Sequence, residues 1–159
     1  MAPLYNPGFE TDLSDGWEKL GNVSREGIDS NFAASSGSYY AKLTSSGSTR
    51  SDIQTFLGAS FDSKYTVGSA IRQTIQVTAG QTLSFDWKFL DNEGDNGYYD
   101  DAAFVISGIN AEVLSSVSIA GATQEGKYEY RFESSGVFVV GVAVFNARDS
   151  AVDAVLKVD

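Results

Sequence analysis

The chain has 159 residues, 42% hydrophobic and 13% aromatic, enough for one domain with a substantial core. A formal net charge of −10 repels phosphate, which excludes nucleic acid and anionic membrane as partners and favours cations. With no Cys and no His there is no disulfide, no thiol nucleophile, no Ser–His pair and no ordinary zinc site.

In chain order, Tyr5-Asn6-Pro7-Gly8-Phe9-Glu10 opens on turn chemistry, with Phe9 as a core anchor. Residues 12–16 form a second turn before Trp17. Residues 23–36 have no clean period and read as loop or short irregular strand, and 38–43 reads as a strand. A Ser/Gly-rich loop over 44–49 precedes one short helix at 51–58, with Ser51 as cap, Asp52 in the first turn and Gly58 as stop. Ile53, Phe56 and Leu57 share a helix face. Residues 69–77 alternate, with Ile71, Gln73, Ile75 and Val77 opposite Arg72, Thr74 and Gln76. A hairpin turn at 78–81 leads into Leu83, Phe85, Trp87 and Phe89, again on alternate positions. Further strands are expected from Ala103 onward and over 112–119, 127–132 and 136–145. In the tail, Val152, Ala154, Leu156 and Val158 oppose Asp153, Lys157 and Asp159. Many short strands between turn signals predict an all-β fold, an antiparallel, jelly-roll-like β-sandwich with one short helix.

Between two of these strands lies DNEGDNGYYDD, residues 91–101, with no Lys or Arg. Asp91, Glu93, Asp95, Asn96, Asp100 and Asp101 supply the hard oxygen donors that calcium takes, and Gly94 and Gly97 let the backbone curl so that carbonyls can join. The spacing is not that of an EF-hand loop. The competing reading is a solvated acidic loop. Tyr98 and Tyr99 either present a binding surface beside the metal or tuck into the sandwich edge. Arg72, outward-facing one hairpin away, pairs either with a ligand carboxylate or with a surface acid such as Asp86. Two acids across a cleft would suit a glycosidase, but this loop offers only weak support for it, so no enzyme is expected.

The motifs NPGFE, DGW, GSYYAKL and VLKVD resemble the calcium-stabilised jelly-roll domains of the carbohydrate-binding-module type. That resemblance implies a structural calcium joining the chain ends through Glu10 and Asp159, with a carbonyl near Lys42. SDIQTFLG, GSAIRQTIQVTAGQTLSFDWKFLDNE and DDAAFV resemble exported bacterial β-sandwich domains, among them the peptide-binding domain of RTX adhesins. The resemblance implies a calcium-dependent module that holds the free C-terminus of a protein on a host or partner cell. Its ligand surface is expected at Asp91, Asn92, Glu93, Asn96, Tyr98, Tyr99 and Arg72. Two rivals stand beside it: a glycan-binding module using Trp17, Tyr98 and Tyr99, and a calcium-stiffened spacer. No apolar run spans a bilayer and no signal peptide is visible. The expectation is one domain, 1–159, excised from a larger exported, cell-surface protein, with no membrane insertion.

Overall fold

The computed structural model describes residues 9–27, 38–90, 102–107, 110–116, 123–147 and 154–159. Two antiparallel sheets pack face to face. One runs in the order β1 (Glu18–Leu20), β5 (Tyr65–Val77), β10 (Gly136–Ala147), β7 (Ala102–Ser107), β8 (Asn110–Ser116), with the two-residue β4 (Ser48–Thr49) beside β5. The other runs β2 (Asn22–Gly27), β3 (Tyr39–Thr44), β11 (Val155–Val158), β6 (Thr82–Leu90), β9 (Thr123–Arg131). The helix, α1 (Arg50–Leu57), lies against the first sheet. The expected all-β sandwich with one short helix is what forms.

Alternation decides which side chains meet. Phe89, Leu156 and Leu43 stand in one cross-strand row, and Trp87, Val158 and Ala41 in the next. These rows face Ile71, Val142 and Val105 of the other sheet in a single core. Leu43 and Leu156 are fully buried there. At this sandwich's other open side, Trp17 stacks on Phe9 at 5.4 Å and closes the core.

The first sheet is also covered on its outer face. Ile53 and Leu57 of α1, with Phe61 and Tyr65, pack on Ala70, Ala102, Ala143 and Phe145 to form a second core. The helix approaches closely because the sheet beneath it is made of small residues. A Cβ on Gly68 would stand 2.3 Å from Val144 O and 3.1 Å from Ile53 Cδ1. On Gly141 it would stand 3.0 Å from Leu57 Cδ2. β10 is therefore buried on both faces from Val140 to Ala147, and its sequence is a continuous apolar run broken only by Asn146.

Local chemistry shifts some expected boundaries. Thr49, not Ser51, caps α1: its hydroxyl accepts from Asp52 N at 3.2 Å, and Arg50 and Ser51 join the first turn. Gly58 ends the helix in the left-handed region at φ 69° and donates to Gln54 O. β2 is a regular strand paired along β3, where residues 23–36 show no period. Its inward positions are Val23, Arg25 and Gly27, and Arg25 spends its guanidinium on the carbonyls of Phe9 and Glu10 and on the Tyr39 ring. β5 starts four residues before the expected position, at Tyr65, and β9 starts at Thr123. No helix among the described residues is long and apolar enough to cross a membrane.

The helix bed gives a first prediction. Gly68→Ala should cost about 1–3 kcal/mol through overpacking. Urea unfolding should show a lowered midpoint with an unchanged m value; an unchanged midpoint would mean that the helix does not depend on this close approach.

Candidate ligand-binding end of the sandwich

The register places many chain crossings at one end. In the five-stranded sheet Asn22, Thr44, Val155, Leu90 and Thr123 form the terminal row. In the other sheet Ser48, Gly68, Phe145, Ala102 and Ser116 do so. The chain passes between the sheets here at Gly21, again at 45–47, and through residues 91–101, 117–122 and 148–153.

Buried hydroxyls tie the two short crossings together. Ser69 Oγ, fully buried, accepts from Asn22 N at 2.7 Å and lies 2.6 and 2.7 Å from the carbonyls of Thr44 and Ser46, to which it donates. Ser45 Oγ donates to Asn146 Oδ1 at 2.8 Å and accepts from Ala154 N at 2.7 Å. Ser45 N also donates to Ala154 O, so β3, β10 and β11 are locked at their ends. Gly21 and Gly47 pack on each other with φ of 87° and 126°. A Cβ on Gly47 would lie 2.9 Å from Gly21 Cα, and one on Gly21 2.6 Å from Ser69 Oγ. The sequence shows these residues only as a Ser/Gly-rich loop and one polar strand position; the paired glycines are the available signal.

One of the segments that join strands at this end is rich in charge. Residues 91–101 run from Leu90 of β6 to Ala102 of β7. Asp91, Asn92, Glu93, Asp95, Asn96, Tyr98, Tyr99, Asp100 and Asp101 lie outside the described residues. The five carboxylates among them, with no base, account for half of the net charge of −10.

The remaining expected site residues lie elsewhere. Arg72 is on the outer face of β5, in the row of Gly141 and Ile106, away from the row of Ala102. It donates to Phe56 O at the end of α1, pairs with Glu18 Oε2 at 3.0 Å and lies 4.1 Å over the Phe56 ring. The Glu18 carboxyl is held below its ordinary value, first by that hydrogen bond and then by the Arg72 charge. Hydrogen bonds from Ser14 act the same way on Asp12. Because the folded-state values are lowered, whatever these groups contribute is present above the ordinary carboxylate range and is lost as pH falls below it through the lowered folded-state values.

Glu10 and Asp159 both lie beside the start of β3. Glu10 Oε1 accepts from Ser38 N at 2.7 Å and Tyr39 N at 3.0 Å. Asp159 follows Val158, which pairs with Ala41, and its backbone exchanges two 2.9 Å bonds with Asp86. Both acids therefore reach the start of β3, with Lys42 further along the same strand. Among the described residues no three acidic, His or Cys side chains are grouped to hold a metal. Beneath Trp17 an apolar cavity of about 20 Å³ opens between Ile71, Phe85 and Val142, with no polar group to recognise a ligand.

Comparison with solved structures places this architecture. TmCBM61, solved in complex with beta-1,4-galactotriose, is 16% identical with a TM-score of 0.56 over 99% of this chain and 94% of its own. CBM27-1 of Caldicellulosiruptor saccharolyticus, solved in complex with mannohexaose, is 10% identical with a TM-score of 0.52 over 93% and 91%. The fold is that of the carbohydrate-binding-module β-sandwiches. No protein-family profile and no curated protein matches the chain.

Ser69→Ala should leave Asn22 N–H and two carbonyls without their buried partner, at a cost of about 1–3 kcal/mol. The loss is to be read as a lowered thermal midpoint, and a midpoint equal to that of the parent chain would show that water or rearrangement replaces the hydroxyl.

Proposed function

We propose that the chain is a calcium-dependent glycan-binding module that meets its ligand at the sandwich end where residues 91–101 join β6 to β7. The observation that carries this reading is the concentration of half the net charge in one sheet-to-sheet crossing, residues 91–101, between Leu90 of β6 and Ala102 of β7. Binding residues of β-sandwiches sit on loops positioned by such scaffolds. The shared fold of two modules solved with oligosaccharides supports a glycan as the ligand class. Asp91, Glu93, Asp95, Asp100 and Asp101, with Asn96, would hold the ion, and Asn92, Tyr98 and Tyr99 would contact the ligand. Bound calcium supplies coordination positions for ligand hydroxyls or a carboxylate. Arg72 stays with α1 and Glu18. A second ion between Glu10 and Asp159 belongs to the same proposal, supported by the arrival of both acids at the start of β3.

A second reading has its own support. A protein of charge −10 repels a peptide carboxylate unless a cation intervenes, so a calcium-filled loop would suit a free C-terminus as a cell-adhesion ligand. A glycan array and a set of free and C-terminally amidated peptides should be screened in calcium and in chelator. The expected outcome is oligosaccharide binding in calcium only, abolished by Asp100→Ala or Asp101→Ala. Glycan binding that persists in chelator would sink the calcium mechanism. Binding of free but not amidated peptides, with no glycan bound, would replace the ligand class. Calcium should also raise stability by about 2.7 kcal/mol at a hundredfold excess over Kd, so melting in chelator serves as the control.

A further inference from the structure

β9 ends the five-stranded sheet, and no described strand pairs with its free side. Asp86 exchanges both backbone bonds with Asp159 of β11, so Phe85 and Trp87 turn theirs toward β9. By the same alternation Gly126, Tyr128 and Tyr130 bond to β6. The N–H and C=O groups of Glu125, Lys127, Glu129 and Arg131 point outward along the free edge, and all four residues are exposed.

Charges on an edge strand ordinarily prevent pairing. The order of the signs decides whether they do so here. A strand carrying one sign repels its own copy. β9 reads Glu125, Lys127, Glu129, Arg131 on one face, and this series reverses sign about Tyr128. Set antiparallel to itself about Tyr128, it places Glu125 opposite Arg131 and Lys127 opposite Glu129, twice over. A slip of two residues either way brings Lys127 against Lys127, or Glu129 against Glu129. The charge pattern therefore excludes slips of two; a slip of four about Tyr130 keeps opposite signs but relies on Glu133, beyond the end of β9, and pairs fewer strand residues.

We propose that β9 is a self-complementary edge through which two copies of this chain join their five-stranded sheets about a two-fold axis at Tyr128. The pairs 125–131 and 127–129 are the hydrogen-bonded ones, with Cα atoms about 5.5 Å apart, and they satisfy every outward N–H and C=O of those four residues. On the inner face Tyr130 of the second copy lies opposite Gly126. Trp87 of the same chain covers that glycine, with Cζ2 3.2 Å from where a Cβ would be, so the second copy's Tyr130 ring meets the Trp87 ring there. Among the described residues, Lys127 and Glu129 pair with each other, at 3.7 Å and with side chains 59% and 64% exposed. Such a pair contributes little, so it does not oppose the exchange. Nothing in this pairing depends on the glycan reading.

The test is sedimentation equilibrium of the whole chain from micromolar to millimolar concentration. The parent should form a dimer. Lys127→Glu and Glu129→Lys should each weaken it about tenfold or more, because each turns both central pairs into like charges. Mixing the two single variants should restore association, since the acid introduced at position 127 of one then faces the base introduced at position 129 of the other. The double exchange in one chain should restore it as well. Unchanged melting midpoints confirm that these exposed positions leave the fold intact. A parent that stays monomeric, single variants that dimerise like the parent, or a mixture that fails to associate would each overturn the proposal.

Discussion

The structure depends on the direct seating of a helix on a β-sheet. A helix lying on ordinary strand residues is held off the sheet backbone by their side chains. Here the strands beneath α1 carry Gly68, Ala70, Gly141, Ala143 and Ala102, so Ile53 and Leu57 reach nearly to the backbone. The close seat lets Arg72 extend from β5 to the last turn of α1 and give a donor to a carbonyl that helix geometry leaves unpaired. Glu18 of β1 then holds that guanidinium from its other side. The same contact joins β1, the sheet and the helix, so the outer face is fixed by a packing surface and a polar anchor together.

With one sheet covered, polar residues are distributed by what remains accessible. The outer face of β9 is charged, while the sandwich end is pinned from within by Ser45, Ser69 and Asn146. Hydroxyls serve there because each can both accept an orphaned N–H and donate to a carbonyl where strands stop pairing. An apolar side chain would leave those groups unsatisfied in a dry site.

Much of this was legible in the chain. The alternations in Ile71 to Val77 and Leu83 to Phe89 gave strand, face and sandwich together, because burial of one face imposes a period of two. The helix was legible from Ile53, Leu57 and Gly58, but its cap was not, since Thr49, Ser51 and Asp52 are all competent acceptors and only geometry selects among them. β2 could be read only as loop or short irregular strand, because its inward Arg25 satisfies carbonyls of the opening segment instead of presenting an apolar side chain. The role of Arg72 was hidden by distance, its partners lying 16 and 54 residues away. For the candidate site, composition displayed the acidic donors, whereas the convergence of five crossings on one end is a property of register, which no local pattern encodes.

Burial of β10 on both faces has a consequence beyond packing. From Val140 to Phe145 the strand reads VGVAVF, without a charge or a proline. Such a segment is safe only while both neighbours and the helix stay in place. Any opening that lifts α1 uncovers a surface able to recruit identical strands from other molecules. The chain's large negative charge then matters in a second way. It keeps partly opened copies apart, so that refolding outpaces association, and conditions that neutralise the carboxylates should turn a reversible opening into aggregation.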